Sequence, residues 1–400
     1  MLAELADSLF RRDYRPCRPR WVDIPKHDSS ARFRRIGILT IRDRIVRAAV
    51  KQVLDPILEP IFLPNSFGFR VGRSVDAALD AASWALSAPT GEKPKLLWAS
   101  PLDVENCFPT LDHEHVGTVI AEHIADAELF SLIQQLVATG GETIGRLWWQ
   151  RRCGLIQDSA LSPLLCNLAL HSLDVTAAKI GQDTQAGVAV MRYADDMLVL
   201  ARDANLVNQA ITALRGVLAR QHQRFKRIPA PRPAAAGVDW LGVTLRPRPL
   251  AQPDSTIFGY VVPVAKIESM LTRLHEMTAP PSDKIDAAAF NMAKWIVSVN
   301  SQLRDWRQAY LFADNAPDLF RLLDDVARER IGCLLKTVSG LSWTEIRRNH
   351  FAMLPRGFWT WEVPGARLTV LSSLAPHAPR RLIRRPIWWT DRTANTVRGS

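Results

Sequence analysis

Asp195 and Asp196 stand side by side in VAVMRYADDMLVLA (188–201), between two runs that are almost wholly apolar. Two β-rich runs joined by a polar turn predict a hairpin. An isolated Asp-Asp at a turn is ordinarily a solvated bend. Here the following run, MLVLA, is apolar on both faces, so the strand belongs inside a sheet. Carboxylates at the end of a buried strand need a partner, and a divalent cation is the natural one. A second strand, KLLWASPLDV (95–104), ends near Asp103. Side by side, the two strands bring Asp103 to Asp195. Such a set can hold two Mg²⁺ ions, which clamp the attacking and leaving oxygens of an in-line phosphoryl transfer. Successive strand side chains face opposite ways. Asp195 is therefore ranked first and Asp196 as the assisting member.

The elements that position these carboxylates follow from periodicity. WVDIPK and RRIGILTI read as strand, loop and strand within 21–50. A helix then runs from about Arg42 through DRIVRAAVKQVLDPIL, its apolar residues at helical spacing. PNSFGFRVGRS (64–74) is a glycine-containing loop and VDAALDAASWAL the helix after it. LSPLLCNLALHSLD (161–174) reads as one buried helix, and DWLGVTLRPR (239–248) as a strand. The composition shifts at MTAPPSDK (277–284), the predicted domain boundary. Residues 285–338 read as mostly helical, and 341–400 as an Arg- and Trp-rich extension.

Composition narrows the partner. The 400 residues carry 47% hydrophobic side chains and a formal net charge of +11, enough for a large core and a strong pull on a polyanion. Arginine outnumbers lysine 41 to 10, and a guanidinium fork grips phosphate in two places where an ammonium cannot. A G+C-rich genome accounts for the ratio equally well, but not for the net charge. The five cysteines, 17, 107, 153, 166 and 333, form no C-x-x-C pair. That argues against a disulfide framework or a zinc module and fits reduced thiols in a cytoplasm. No apolar run approaches about 18 residues, which turns the positive charge away from membranes and towards nucleic acid.

DVENCF (103–108), GLIQDSALSPLLCNLAL (154–170) and RYADDMLVL (192–200) resemble, in that order, the palm motifs of reverse transcriptases. IPK…RRIGILTIRDRIV (24–46) and SFGFRVGRS (66–74) resemble the fingers motifs of the group II intron-encoded branch. WLGV (240–243) is similar to the primer-grip region and LRDWRQAYLF (303–312) to the helical thumb. The resemblance implies an α/β (α+β) right-hand palm and fingers with an α-helical thumb and a basic C-terminal extension. The corresponding spans are 1–97 for the N-terminal extension and fingers, 98–276 for the palm, 277–340 for the thumb and 341–400 for the extension.

It also implies roles. Asp103, Asp195 and Asp196 form the metal-binding triad for two Mg²⁺ ions, with Mn²⁺ as a substitute. Lys26 and Arg34 hold the incoming triphosphate, Phe108 is the steric gate against a ribose 2′-hydroxyl, Gln157 lines the nucleotide pocket, and Lys226 matches a basic position of the next motif. Arg70 and Arg73 contact the template. Arg380, Arg381, Arg384 and Arg385, beside Trp388 and Trp389, can grip structured RNA through phosphate contacts and stacking. The implied partners are an RNA template, in one version a dedicated structured non-coding RNA, with a DNA primer, its cDNA and dNTPs; no membrane is implied, and self-association is left open. Each residue also has a plain structural reading, from core aromatic to solvated strand-edge charge. The chain departs from the family where Asp158 follows Gln157 in place of glycine, where Cys107 replaces an aromatic, and where the fingers loop HDSSARF lacks glycine. With no endonuclease module recognised after the thumb, the expectation is a stand-alone enzyme serving phage defence or CRISPR spacer acquisition. The rivals are a maturase-like RNA-binding protein with a vestigial site, and a template-independent or protein-primed polymerase.

Overall fold

The computed structural model describes residues 1–26, 29–88, 96–139, 142–144, 147–149, 152–183, 187–248, 256–279 and 291–374. The described residues divide into two compact units. The residues up to 241, with 256–257, lie in the first, and 242–248 with the described residues from 258 to 374 in the second.

In the first unit, strands β1 (Arg20–Lys26) and β2 (Ser29–Ile38) pair antiparallel. Helix α1 (Ile41–Leu58) follows, its start fixed by Thr40, whose hydroxyl accepts the Asp43 N–H at 3.2 Å. Ser74 caps α2 (Val75–Leu86) in the same way. Strand β3 (Trp98–Val104) opens the palm. The single helix expected over 161–174 is two, α3 (Ser162–Ala169) and α4 (His171–Asp183), broken at the buried Leu170. Then come β4 (Val188–Tyr193), β5 (Asp196–Ala201), α5 (Ala204–Arg220) and β6 (Phe225–Arg227).

The sheet order is β4, β5, β3, β6, antiparallel throughout. β5 is internal, and Met197 to Ala201 are each 0% exposed. Burial of both faces explains why its sequence does not alternate. One core holds this together: Leu102 and Val104 of β3, Val190 of β4, Met197 and Val199 of β5, and Leu214 and Leu218 of α5.

The second unit is built on α6 (Val264–Met277), α7 (Met292–Tyr310) and α8 (Ala316–Ser339). In residues 341–374, where the sequence allows either an RNA-gripping basic tail or a small packed subdomain, α9 (Trp343–His350) leads into the antiparallel sheet β7 (Phe351–Met353), β8 (Trp359–Val363) and β9 (Ala366–Arg367). Of its tryptophans, Trp361 belongs to the core and Trp359 packs partly buried against it. Trp361 is buried and donates its indole N–H to the Arg328 carbonyl at 2.7 Å. Arg380, Arg381, Arg384 and Arg385 lie outside the described residues. Among the described residues, no helix is long and apolar enough to cross a membrane.

Candidate active site

The hairpin turn between β4 and β5 carries Ala194 and Asp195 and leads into Asp196. Register sets the rest. Asp103 of β3 lies directly opposite Asp196 of β5, and Tyr193 opposite Asp196 on the other side. The Val104 N–H donates to the Asp195 carbonyl at 3.1 Å, which ties the ends of the two strands. The three carboxylates expected to converge are thus neighbours at one end of the sheet.

Their electrostatics record the crowding. Burial, then the charges of Asp195 and Asp103, push the Asp196 carboxyl up to about 7, against the pull of Lys226. Burial raises Asp195 too, with Asp103 adding to it and Arg34 and Arg192 opposing it. Lys226 on β6 sits 3.5 Å from Asp103. Among the described residues, no three His, Cys, Asp or Glu side chains stand in ready-made ligating positions. The donor chemistry nevertheless fits a hard cation. The set is all oxygen and mutually repelling, and a divalent ion would relieve that repulsion.

Of the predicted nucleotide residues, Lys226 and Arg34 act on this set through their charge. Arg34 is exposed on β2, opposite Ile24, and its charge reaches Asp195. Lys26 closes β1; its side chain is outside the described residues. Phe108 is partly buried against the palm core. Its carbonyl accepts the Leu155 N–H at 2.7 Å, which pins the loop bearing Gln157 to the segment bearing Phe108. Gly154 permits this approach, since a Cβ there would stand 2.8 Å from the Pro109 carbonyl oxygen. Ile156 of the same loop is pressed against Gly37 of β2. Gln157 buries its side-chain oxygen with no hydrogen-bond partner among the described residues.

Asp158 stands at φ 73°, in the left-handed region, which explains the glycine that the family places there. Left-handed backbone costs about 1–2 kcal/mol for a residue with a Cβ, and glycine's extra freedom when unfolded returns about 0.5–1 kcal/mol of it. Asp158→Gly is therefore expected to raise the melting temperature by about 2 °C. A lower melting temperature would mean that the carboxylate makes contacts of its own.

The two predicted template arginines differ. Arg70 is buried, and its donors go to Glu59 at 2.6 and 3.0 Å and to the carbonyls of Leu63 and Ser66 at 2.7 and 2.8 Å. It braces the loop, and the expected template contact does not follow for it. Arg73 is half-buried, donates to the Pro64 carbonyl at 2.9 Å and lies over the Phe67 ring.

Sequence reasoning missed the group that holds the turn. Arg192 is 0% exposed although it lies on β4, the outer strand of the sheet. It donates to both oxygens of Asp174 at 2.8 and 2.5 Å, to Asn167 at 3.0 Å, to the Ala194 carbonyl at 2.9 Å and to the Ser66 hydroxyl at 2.8 Å. All five N–H donors of the guanidinium are met. Asn167 in turn donates to the Gly68 carbonyl at 2.6 Å. A backbone bridge joins Ser66 to Arg192. The fingers loop, both palm helices and the carboxylate turn are thereby one hydrogen-bonded unit. The signal was present: an arginine inside a buried strand requires a carboxylate partner.

An antiparallel sheet with three carboxylates at one end, faced by a two-stranded fingers hairpin, defines a polymerase palm of the right-hand fold. The chain belongs to the family described as reverse transcriptase (RNA-dependent DNA polymerase), whose model matches residues 24–244. It is 29% identical over 242 residues to Protein YkfC of Escherichia coli (strain K12), covering 54% of this chain and 62% of that one. It is 27% identical over 237 residues to the group II intron-encoded protein LtrA of Lactococcus lactis subsp. cremoris, covering 57% of this chain and 37% of that one. The chain thus spans less than two thirds of the length of these relatives. Among solved structures it is similar to a telomerase from Candida albicans in complex with a fragment of telomeric RNA. The TM-score is 0.46 with 12% identity, over 85% of this chain and 69% of that one.

Proposed function

We propose that this chain copies RNA into DNA, joining the 3′-hydroxyl of a DNA primer to the α-phosphate of a dNTP and releasing pyrophosphate. The observation that carries the reading is the strand register that sets Asp103 beside Asp196 and next to the Asp195 turn. Asp103, Asp195 and Asp196 would hold two Mg²⁺ ions. When bound, these supply charge neutralisation at the attacking and leaving oxygens. Lys226 steadies Asp103. Lys26 and Arg34 place cations where triphosphate charge develops. Gln157 offers its unpartnered oxygen to the nucleotide, and Phe108 presents a ring to the sugar.

Primer extension on an RNA template with a DNA primer, dNTPs and Mg²⁺ tests this. Products complementary to the template support it. RNA binding with no incorporation of any dNTP overturns it in favour of a maturase-like binder, and products unrelated to the template favour untemplated synthesis. As for use, the reading is a cytoplasmic enzyme put to phage defence or CRISPR spacer acquisition, copying a dedicated RNA. Sequencing the RNA that co-purifies tests that part, and intron RNA would overturn it.

A further inference from the structure

Phe69 combines two costs. Its backbone is left-handed, at φ 58°, which is unfavourable for a bulky side chain and marks functional sites. Its side chain is also 46% exposed, so burial of apolar area offsets little of that cost. The preceding residue accounts for the backbone. A Cβ on Gly68 would stand 2.3 Å from the Ala194 nitrogen, and the Gly68 carbonyl is held by Asn167. The loop is pressed flat onto the carboxylate turn and leaves it steeply. The Phe69 ring then lies edge to face with Phe108, centroids 6.3 Å apart at 85°, and tilted against Tyr193 at 6.4 Å. An exposed ring is thus held against the two aromatics that flank the carboxylates.

We infer that Phe69 is a specificity-determining residue: its ring buttresses Phe108 and fixes the depth of the surface that excludes a 2′-hydroxyl. This rests on the reading of Phe108 as the gate. A gate rejects one extra hydroxyl only if it does not yield. Phe108 is only partly buried against the palm core, and Phe69 touches it from the fingers loop. Edge-to-face contact is a favoured ring arrangement, and it restrains Phe108 against turning aside. The strain at Phe69 is maintained by the bonds around it, because Gly68 and Ser66 are tied to the Arg192 unit.

The test is single-nucleotide extension by the full chain on an RNA template, with kcat and KM measured for a dNTP and the matching rNTP. Phe69→Ala is expected to raise the rNTP:dNTP ratio of kcat/KM about tenfold, chiefly through a lower KM for the rNTP. Phe69→Tyr is expected to retain discrimination. The Phe108→Ala/Phe69→Ala pair should be no worse than Phe108→Ala alone, since the two act through one surface. Asparagine tolerates left-handed backbone, so Phe69→Asn gives the same reading should the alanine variant not fold. Loss of discrimination in Phe108→Ala with none in Phe69→Ala or Phe69→Asn overturns the buttress and leaves the gate standing. Unchanged discrimination in Phe108→Ala overturns the gate and the buttress together.

Discussion

Asp103→Asn, Asp195→Asn and Asp196→Asn are each expected to cut RNA-templated primer extension by roughly a thousandfold. A catalytic metal supplies several kcal/mol of charge stabilisation, and each ~1.4 kcal/mol is a factor of ten in rate. Stability should move the other way when metal is chelated. The Asp196 carboxyl is raised to about 7 by burial and by Asp195 and Asp103. In an unfolded chain it titrates near the usual 3.8. Between those values the folded state keeps a proton that the unfolded state has lost, so stability falls as pH rises through that window. Asparagine cannot ionise. In EDTA, thermal melts of the wild type should therefore drop between about pH 4 and pH 7 relative to Asp196→Asn, and Mg²⁺ should close the gap. Parallel melting curves across that range would sink the claim that these carboxylates crowd one another, and full extension activity in any of the three variants would sink their catalytic role.

The carboxylate centre was legible because it is written in local patterns: apolar runs long enough to be buried, each ending on an acid. Those patterns name Asp103 and the hairpin but not the register. Opposite Asp103 stands Asp196, and Asp195, the acid expected beside Asp103, sits at the turn where its carbonyl accepts the Val104 N–H. A shift of one residue on the partner strand exchanges the two, and local composition does not encode it. The long-range ties were less legible for the same reason. Asp174 and Asn167 look like ordinary polar positions on helices, and only the fold shows that both face Arg192. The resemblance implies the same template contact for Arg70 and Arg73, which share one motif. Glu59, 11 residues before Arg70, separates them by claiming one guanidinium. For the tail, composition left RNA grip and a small packed subdomain equally open; Trp361, Val363 and Leu368 join the core of α7 and α8, a long-range contact that arginine content does not reveal.

Arg192→Met is expected to destabilise the fold by about 3–5 kcal/mol, the usual cost of leaving one member of a buried ion pair uncompensated. Asp174→Leu should do the same from the other side. The double variant should recover much of the loss, because an apolar pair of similar volume replaces a buried ion pair at little cost. Catalysis should not recover with it. Arg192 also donates to the Ala194 carbonyl and the Ser66 hydroxyl, and those bonds fix the peptide that carries Asp195. Without them the Ala194 carbonyl is left buried and unpaired, and the left-handed turn at Ala194, φ 58°, loses its hold. Denaturant unfolding and primer extension on the same three proteins separate the two roles. A double variant that regains both stability and extension would reduce Arg192 to a packing element. One that regains stability while extension stays low, with a raised Mg²⁺ requirement, assigns the guanidinium to positioning the carboxylates. The second outcome is expected, since a buried ion pair is a poor source of stability but an effective means of specifying one arrangement of chain segments. Here it ties together the segments of the arrangement that puts Asp103, Asp195 and Asp196 at one end of the same sheet.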